Sequence, residues 1–183
     1  MVFGLSKGRK EPCLDGKGGN EKIYLAKWSK DINYSVQNDE IQTLSGLDFK
    51  LFESLDIATD LNLEHTDEGE FYSIDINFSM FQVDKETSQL MNALSDMFLV
   101  AVVFDAYGLG RVYGLKNGLS GSFPETSGGA KQSFSGYKIE LKGEQTDKPY
   151  YIASDYFDTT DNLLGLFVSG RLIYVNNRAI ILN

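Results

Sequence analysis

One stretch, beginning at Asp84, constrains the fold more than any other part of the chain. Asp84 is a typical N-cap residue, and residues 84–97 are expected to form an amphipathic helix. The run Phe98–Phe104 follows directly and is too rich in β-branched residues to continue a helix, so it predicts a strand. The apolar face of the predicted helix, spaced i, i+4 and i+7, consists of Leu90, Met91, Leu94, Met97 and Phe98.

Further strands are predicted on both sides of this helix, separated by glycine-containing turns. The clearest is Phe71–Gln82, in which apolar and polar residues alternate, as they do in a strand with one buried face. The chain has 18 glycines, only 3 prolines and 13% aromatic residues, a composition that favours many strands joined by tight turns. We therefore expect a mainly β fold, a β-sandwich or a barrel, with one flanking helix. The other predicted strands are Lys22–Trp28, Ile32–Val36, Phe49–Glu53, Arg111–Leu115 and Ser133–Lys142.

The chain divides into three predicted sections. Residues 1–21 are basic and glycine-rich without apolar periodicity, so we expect an extended N-terminal arm. Residues 22–152 are expected to form the β domain, with its core sheet ending near Gly143. Residues 153–183 are expected to form a C-terminal β extension. Its predicted strands are Leu163–Val168, Arg171–Val175 and Arg178–Leu182, of which the last two are joined by Asn176–Asn177.

Charge is distributed unevenly along the chain. Residues 1–30 carry seven basic and three acidic side chains, residues 31–130 carry four and 17, and residues 131–183 carry six of each. The acidic middle section would repel a phosphate backbone, which argues against sequence-specific DNA binding. Its densest part lies between Ser54 and Glu70, and we interpret this stretch as an exposed loop or hairpin tip and a candidate contact element.

The sequence matches none of the catalytic, phosphate-binding or metal-binding motifs in full. His65 and Cys13 are the only residues of their kinds, so they support neither a zinc site nor a Cys/His nucleophile pair. Gly118–Ser122 lacks the second glycine of a nucleophile elbow, and we interpret it as a turn. Gly128–Gln132 departs twice from a phosphate-binding loop, and Asp60–Glu64 lacks the glycine and the final glutamate of a calcium loop. We therefore predict no catalytic, cofactor-binding or metal-binding residues, and no enzyme activity.

The sequence also bears on cellular location. No run reaches the roughly 20 apolar residues that a membrane-spanning helix needs, and the opening residues lack the apolar stretch of a signal peptide. A single cysteine excludes an internal disulfide. We expect synthesis in the cytoplasm and no membrane partner.

From Phe71 to Ile152, the chain resembles tail tube and related virion proteins of tailed bacteriophages. The resemblance rests on the order of strand, helix and strand, and on the segments Arg111–Gly118 and Phe134–Glu144. The opening of the chain is similar to that of such proteins in phages and prophages of the Bacteroidetes. The residues that carry this second likeness are Arg9–Cys13, Gly18–Gly19 and Ile23–Leu25.

The resemblance implies a virion structural protein, made in the host cytoplasm and located in the tail. Such subunits form hexameric rings that stack into a hollow tube for DNA ejection. The implied partners are other copies of the chain, sheath, terminator or baseplate proteins, and double-stranded DNA that passes without sequence-specific binding. We expect the basic arm to lie on a neighbouring subunit, and the acids of residues 31–130 to face the bore.

Two other classes of function fit the same sequence features. The chain would then be another tail or neck component, or a monomeric β-sandwich module that binds carbohydrate or protein through Trp28 or exposed tyrosines. A hydrolase that uses two carboxylates is a third reading, although no spacing among the 26 acidic residues selects a pair.

Overall fold

The structure is a computed structural model that describes residues 19–66, 69–81, 85–127, 134–153, 156–157, 174–175 and 178–179. These residues form mainly strands and one helix, as predicted. The elements are β1 (Asn20–Lys27), β2 (Asn33–Gln37), β3 (Glu40–Ser45), β4 (Lys50–Thr66), β5 (Gly69–Phe81), α1 (Lys85–Ser95), β6 (Phe98–Asp105), β7 (Gly110–Tyr113), β8 (Leu119–Ser122), β9 (Glu125–Ser127), β10 (Ser135–Gln145), β11 (Tyr150–Ile152), β12 (Tyr174–Val175) and β13 (Arg178–Ala179).

Six strands close into an antiparallel barrel, so the barrel alternative of the predicted fold class is the one found. The order around the barrel is β1, β4, β5, β10, β8 and β6, and β6 pairs again with β1. Closure removes the open edges that a flat sheet of these strands would have. The interior is filled by side chains from every barrel strand, among them Ile23, Phe52, Ile76, Leu99, Leu119 and Leu141.

The apolar run predicted as a strand is β6, and both of its faces are buried. Its odd-numbered residues Leu99, Ala101 and Val103 lie in the barrel core. Its even-numbered residues Val100, Val102 and Phe104 lie in a second core outside the barrel wall. Because successive side chains of a strand point to opposite faces, burial of both faces explains why the run is apolar throughout.

The second core lies between the barrel wall and a smaller sheet. Beyond Leu99, β6 pairs with β7, and the sheet continues through β11 and β3 to β2. Phe157 closes this core: it is only 4% exposed and its ring stacks on that of Tyr24 at 4.2 Å. It also makes edge-on contacts with the rings of Phe49 and Phe104. Phe157 and, packed against the same core, Tyr156 thus belong to the packing of the main domain although they follow β11.

The predicted helix is present as α1 and packs against the barrel core. Met91 is buried in that core, while Leu94 and Met97 are partly buried against it. Two residues of the predicted apolar face are not buried, because Leu90 is 43% and Phe98 56% exposed. Asp84, the predicted N-cap, lies outside the described residues.

Several strand predictions differ from the structure. The strand predicted over Phe49–Glu53 continues to Thr66 as β4, and Glu40–Ser45 forms a strand, β3, that was not predicted. Leu119–Ser122 is strand β8 where a turn was expected, since its alternation is too short to be recognised without its neighbours β6 and β10. The sheet continues beyond Gly143, because β10 runs to Gln145 and β11 follows.

The predicted C-terminal hairpin is present where the structure describes it, with Tyr174 paired to Ala179 and Val175 to Arg178. The predicted strand Leu163–Val168 and residues 1–18 of the predicted arm lie outside the described residues. Within the described residues, no helix is long and apolar enough to cross a membrane.

We expect Phe157→Ala to lower the free energy of unfolding by about 3–5 kcal/mol, since a buried aromatic side chain leaves a cavity when it is truncated. The matched control is Tyr107→Ala, because Tyr107 is 72% exposed and its truncation should change stability by less than about 0.5 kcal/mol. Urea unfolding followed by circular dichroism measures both. Equal midpoints for the two variants would contradict the packing role of Phe157.

Candidate functional site

The strands β4 and β5 form a hairpin that runs past the barrel. β4 pairs with β1 only from Lys50 to Ile57, and its remaining residues pair with β5 alone. β5 in turn pairs with β10 only from Tyr72 onward. Residues 62–66 and 69–70 are all exposed. The predicted acidic contact element is therefore a projecting two-stranded hairpin.

One face of this hairpin is apolar and continues the inner face of the barrel. Leu61 lies opposite Ile74, and Leu63 lies opposite Tyr72. Directly opposed residues share a face, and Ile74 is part of the barrel core. Past the barrel, no described residue covers this face, so Leu63 is 45% exposed although its position would be buried inside the barrel. An uncovered apolar face on a projecting hairpin is a surface suited to protein contact.

The opposite face of the hairpin is polar and acidic. Asp60 lies directly opposite Asp75, an arrangement of like charges that is unfavourable by itself. Lys142 Nζ lies 3.6 Å from Asp75 Oδ2 and offsets part of this repulsion. Glu64 is exposed farther along the same face. At the tip, but on the face of Leu63, His65 Nδ1 lies 3.1 Å from Glu70 Oε1 across the two strands.

A polar cluster fixes the base of the hairpin, where β4 changes partner from β1 to β5. Ser54 Oγ donates a hydrogen bond to Asp56 Oδ1 at 2.6 Å, and Ser79 N donates to the same oxygen at 3.0 Å. Burial by itself would raise the pKa of Asp56, but these hydrogen bonds outweigh it and hold the pKa below its usual value. The ionised carboxylate of Asp56 therefore accepts the hydrogen bond from Ser79 N that a backbone carbonyl of a neighbouring strand would otherwise accept.

We expect Asp56→Asn to lower the free energy of unfolding by about 1 kcal/mol, because the acceptor of the hydrogen bonds from Ser54 and Ser79 loses its charge. Since folding lowers the pKa of Asp56, its stabilisation is present above the pKa of the unfolded chain and is lost as pH falls through the folded value. Urea unfolding between pH 3 and pH 7 measures this effect. The control is Asp96→Asn at an exposed position; equal pH dependence in both variants would contradict the role of Asp56.

The structure does not assemble the candidate ligands into a site. His65 is exposed beside Glu70, and Asp60 and Glu64 lie along an extended strand where a calcium loop would have to fold around the ion. Among the described residues, no group of three or more His, Cys, Asp or Glu side chains is placed to hold a metal ion. Cys13, Asp67 and Glu68 lie outside the described residues.

A surface that a ligand-binding module would use is less well formed than the projecting hairpin. Trp28 is half-buried, packs against the second core and donates its Nε1 hydrogen to Leu115 O at 3.0 Å, so it is not an open platform. A shallow groove of about 500 Å³ crosses the outer barrel wall between Phe98 and Glu144. Its one lysine, Lys142, is already engaged, since its Nζ lies 3.6 Å from Asp75 inside the groove and 3.3 Å from Glu140 outside it.

Sequence reasoning found the acidic hairpin but missed two of its features. The alternation of β5 already placed Tyr72 on an apolar face, but Leu61 and Leu63 opposite it could have been found only if the strand predicted to end at Glu53 had been extended. The role of Asp56 could not be predicted from local sequence patterns, because its hydrogen-bond partner Ser79 is distant in the chain. No protein family, curated protein or solved structure matches this chain in comparisons of its sequence and fold.

Proposed function

We propose that this chain is a structural subunit of a bacteriophage tail tube, which assembles into stacked, hexameric rings around a channel for DNA. The observation that carries the proposal is the projecting hairpin, on which Leu63 is 45% exposed on the face that continues the filled barrel core. The fold also has the form that the sequence resemblance implies, a barrel with one flanking helix.

A channel in such an assembly must lie between copies of the chain. The barrel interior is packed with side chains from all six strands, with residues such as Ile76 and Leu141 fully buried. A close-packed interior leaves no space for a duplex. DNA would therefore pass along the axis of a ring of several subunits, where acidic side chains would repel its phosphates and avoid binding.

Open strand edges also favour assembly. Within the described residues, β2 pairs only with β3 and β9 pairs only with β10. β2 carries no charged side chain and no proline, which are the usual protections of an exposed edge. Contacts between different surfaces of identical subunits can close a ring, and similar contacts can stack one ring on another. In such an assembly the backbone groups of these edges would be paired by neighbouring copies, without a second protein.

Electron microscopy of the purified chain at high concentration tests the proposal, with light scattering as the solution measurement. Rings or tubes with a central channel are the expected result. A protein that stays monomeric at all concentrations, and is absent from purified virus particles, would contradict the proposal and favour the monomeric binding module.

Leu63→Thr should weaken assembly and leave the monomer folded, because the substitution removes apolar surface from the uncovered hairpin face while keeping a β-favouring residue. Leu109→Thr is the matched control, since Leu109 is also 45% exposed but lies outside the hairpin. Sedimentation of both variants at several concentrations measures the change. If the two variants assemble equally well, the hairpin face is not an interface.

Deletion of residues 1–18 should leave a folded subunit that no longer polymerises, because the basic arm is proposed to lie on a neighbour. This boundary spares β1, which begins at Asn20. Circular dichroism reports the fold and electron microscopy the assembly. Polymers of normal length from the shortened chain would count against the arm.

A further inference from the structure

A second groove lies at one end of the smaller sheet, between the turn that joins β2 to β3 and the loop that joins β6 to β7. Its volume is about 450 Å³, within the size range of small-molecule sites. Asn38 and Glu40 line it from the side of the turn, Leu109 from the side of the loop, and Tyr151 of β11 lies between them. The groove on the outer barrel wall is different, because its lysine is already engaged.

The first wall of this groove is a tight turn that holds its own shape. Asn38 and Asp39 have φ values of +54° and +64°, the type I′ geometry of a two-residue hairpin, which asparagine and aspartate tolerate well. Tyr151 N donates a hydrogen bond to Asp39 O at 2.9 Å and ties the turn to β11. The backbones that carry Asn38 and Tyr151 are therefore fixed relative to each other.

The second wall is a loop that Asp105 holds in shape. Asp105 Oδ1 accepts hydrogen bonds from Tyr107 N and Leu109 N, both at 2.9 Å. Gly108 N donates to Asp105 O at 2.9 Å, and Asp105 N donates to Leu109 O at 3.1 Å. Because both walls are ordered in advance, a ligand would bind without a large cost in conformational entropy.

The charges around Tyr151 favour a neutral ligand. Glu40 and Arg111 are the register partners of Tyr151 on the two neighbouring strands, so all three residues share one face of the sheet. The guanidinium carbon of Arg111 lies 5.4 Å from the ring centroid of Tyr151, a cation–π contact. A cationic ligand beside this ring would be repelled by Arg111, and an anionic ligand would be repelled by Glu40.

The polar side chains of the groove are available to a ligand. Asn38 and Glu40 are exposed, and neither side chain has a hydrogen-bond or ion-pair partner among the described residues. An amide both donates and accepts hydrogen bonds, and a carboxylate accepts several, so together they can bind neighbouring hydroxyl groups. An aromatic ring such as that of Tyr151 can pack against the C–H face of a sugar ring. This combination suits a compact, neutral molecule with many hydroxyl groups.

We propose that the groove between the two turns binds a saccharide of one or two sugar units. Tyr151 packs against the sugar ring, and Asn38 and Glu40 hydrogen-bond its hydroxyl groups. The groove is formed within one copy of the chain, so this proposal does not depend on the proposed self-assembly.

Saturation-transfer difference NMR on the full chain tests the proposal, because it detects weak binding to monomers and to assemblies alike. The probes are glucose, galactose, mannose, N-acetylglucosamine and cellobiose, and at least one of them should give signals from its ring protons. L-argininamide and succinate are the charged comparison probes and should give none. If no sugar gives a signal, or if a charged probe binds more tightly than every sugar, the proposal is overturned.

A matched pair of variants in the turn locates the binding. Asn38→Gly removes the amide and keeps the turn, since glycine readily adopts positive φ. It should raise the dissociation constant of the bound sugar about tenfold, because hydrogen bonds to the ligand are lost. Asp39→Gly is the control: Asp39 has the same kind of backbone conformation but does not line the groove, so binding should change less than about twofold.

A second pair tests the carboxylate. Glu40→Ala should also weaken binding about tenfold, whereas Glu64→Ala, at an exposed position of the hairpin, should not. Circular dichroism spectra like that of the unmodified chain establish that the variants are folded. Unchanged binding in Asn38→Gly and Glu40→Ala, or equal losses in each variant and its control, would place the sugar elsewhere and overturn the site.

The outcomes for this site and for the proposed function are distinguishable. Rings or tubes in electron microscopy together with no sugar binding would leave the proposed function in place and remove only the saccharide site. Sugar binding at the groove by a chain that never assembles would support the site and contradict the proposed function.

Discussion

The whole structure depends on one strand that is buried on both faces. β6 contributes Leu99, Ala101 and Val103 to the barrel core and the intervening apolar residues to the second core. Its neighbour β1 does the same, with Ile23 inside the barrel and Tyr24 outside. Since both cores share these strands, we expect the barrel and the smaller sheet to lose their packing together when the protein unfolds.

Side chains of the hairpin alternate between two faces in the same way, but part of the inward face of the hairpin is exposed. Inside the barrel, inward residues such as Ile76 are covered by the other five strands. Past the barrel, the same face carries Leu63, which is 45% exposed among the described residues, next to the half-buried Tyr72. This surface exists because β4 and β5 are longer than barrel closure requires. We infer that the extra length serves contact between subunits, because it adds uncovered apolar area to the free chain.

Polar groups decide where the hairpin leaves the barrel. The carboxylate of Asp56 and the hydroxyl of Ser54 engage Ser79 at the point where β4 changes its partner strand. On the other side of β4, the amide of Asn20 ends the pairing with β1. These contacts occupy the backbone groups that a simple continuation of the barrel would use. They fix the base of the hairpin, and on its outer side no described strand pairs with β4 beyond Ile57.

Local patterns in the sequence determined the helix, most of the strands and the acidic character of the segment before β5. Alternation and helical spacing depend on neighbouring residues, so Met91 and the inward residues of β5 were predicted correctly. The ends of β4 and β10, the short strands β3 and β8 and the exposure of Leu90 and Phe98 were not. Only the tertiary structure decided these features, together with barrel closure and the role of Asp56. The physical reason is that each depends on hydrogen bonds or burial between residues distant in the chain, and local periodicity carries no information about such partners.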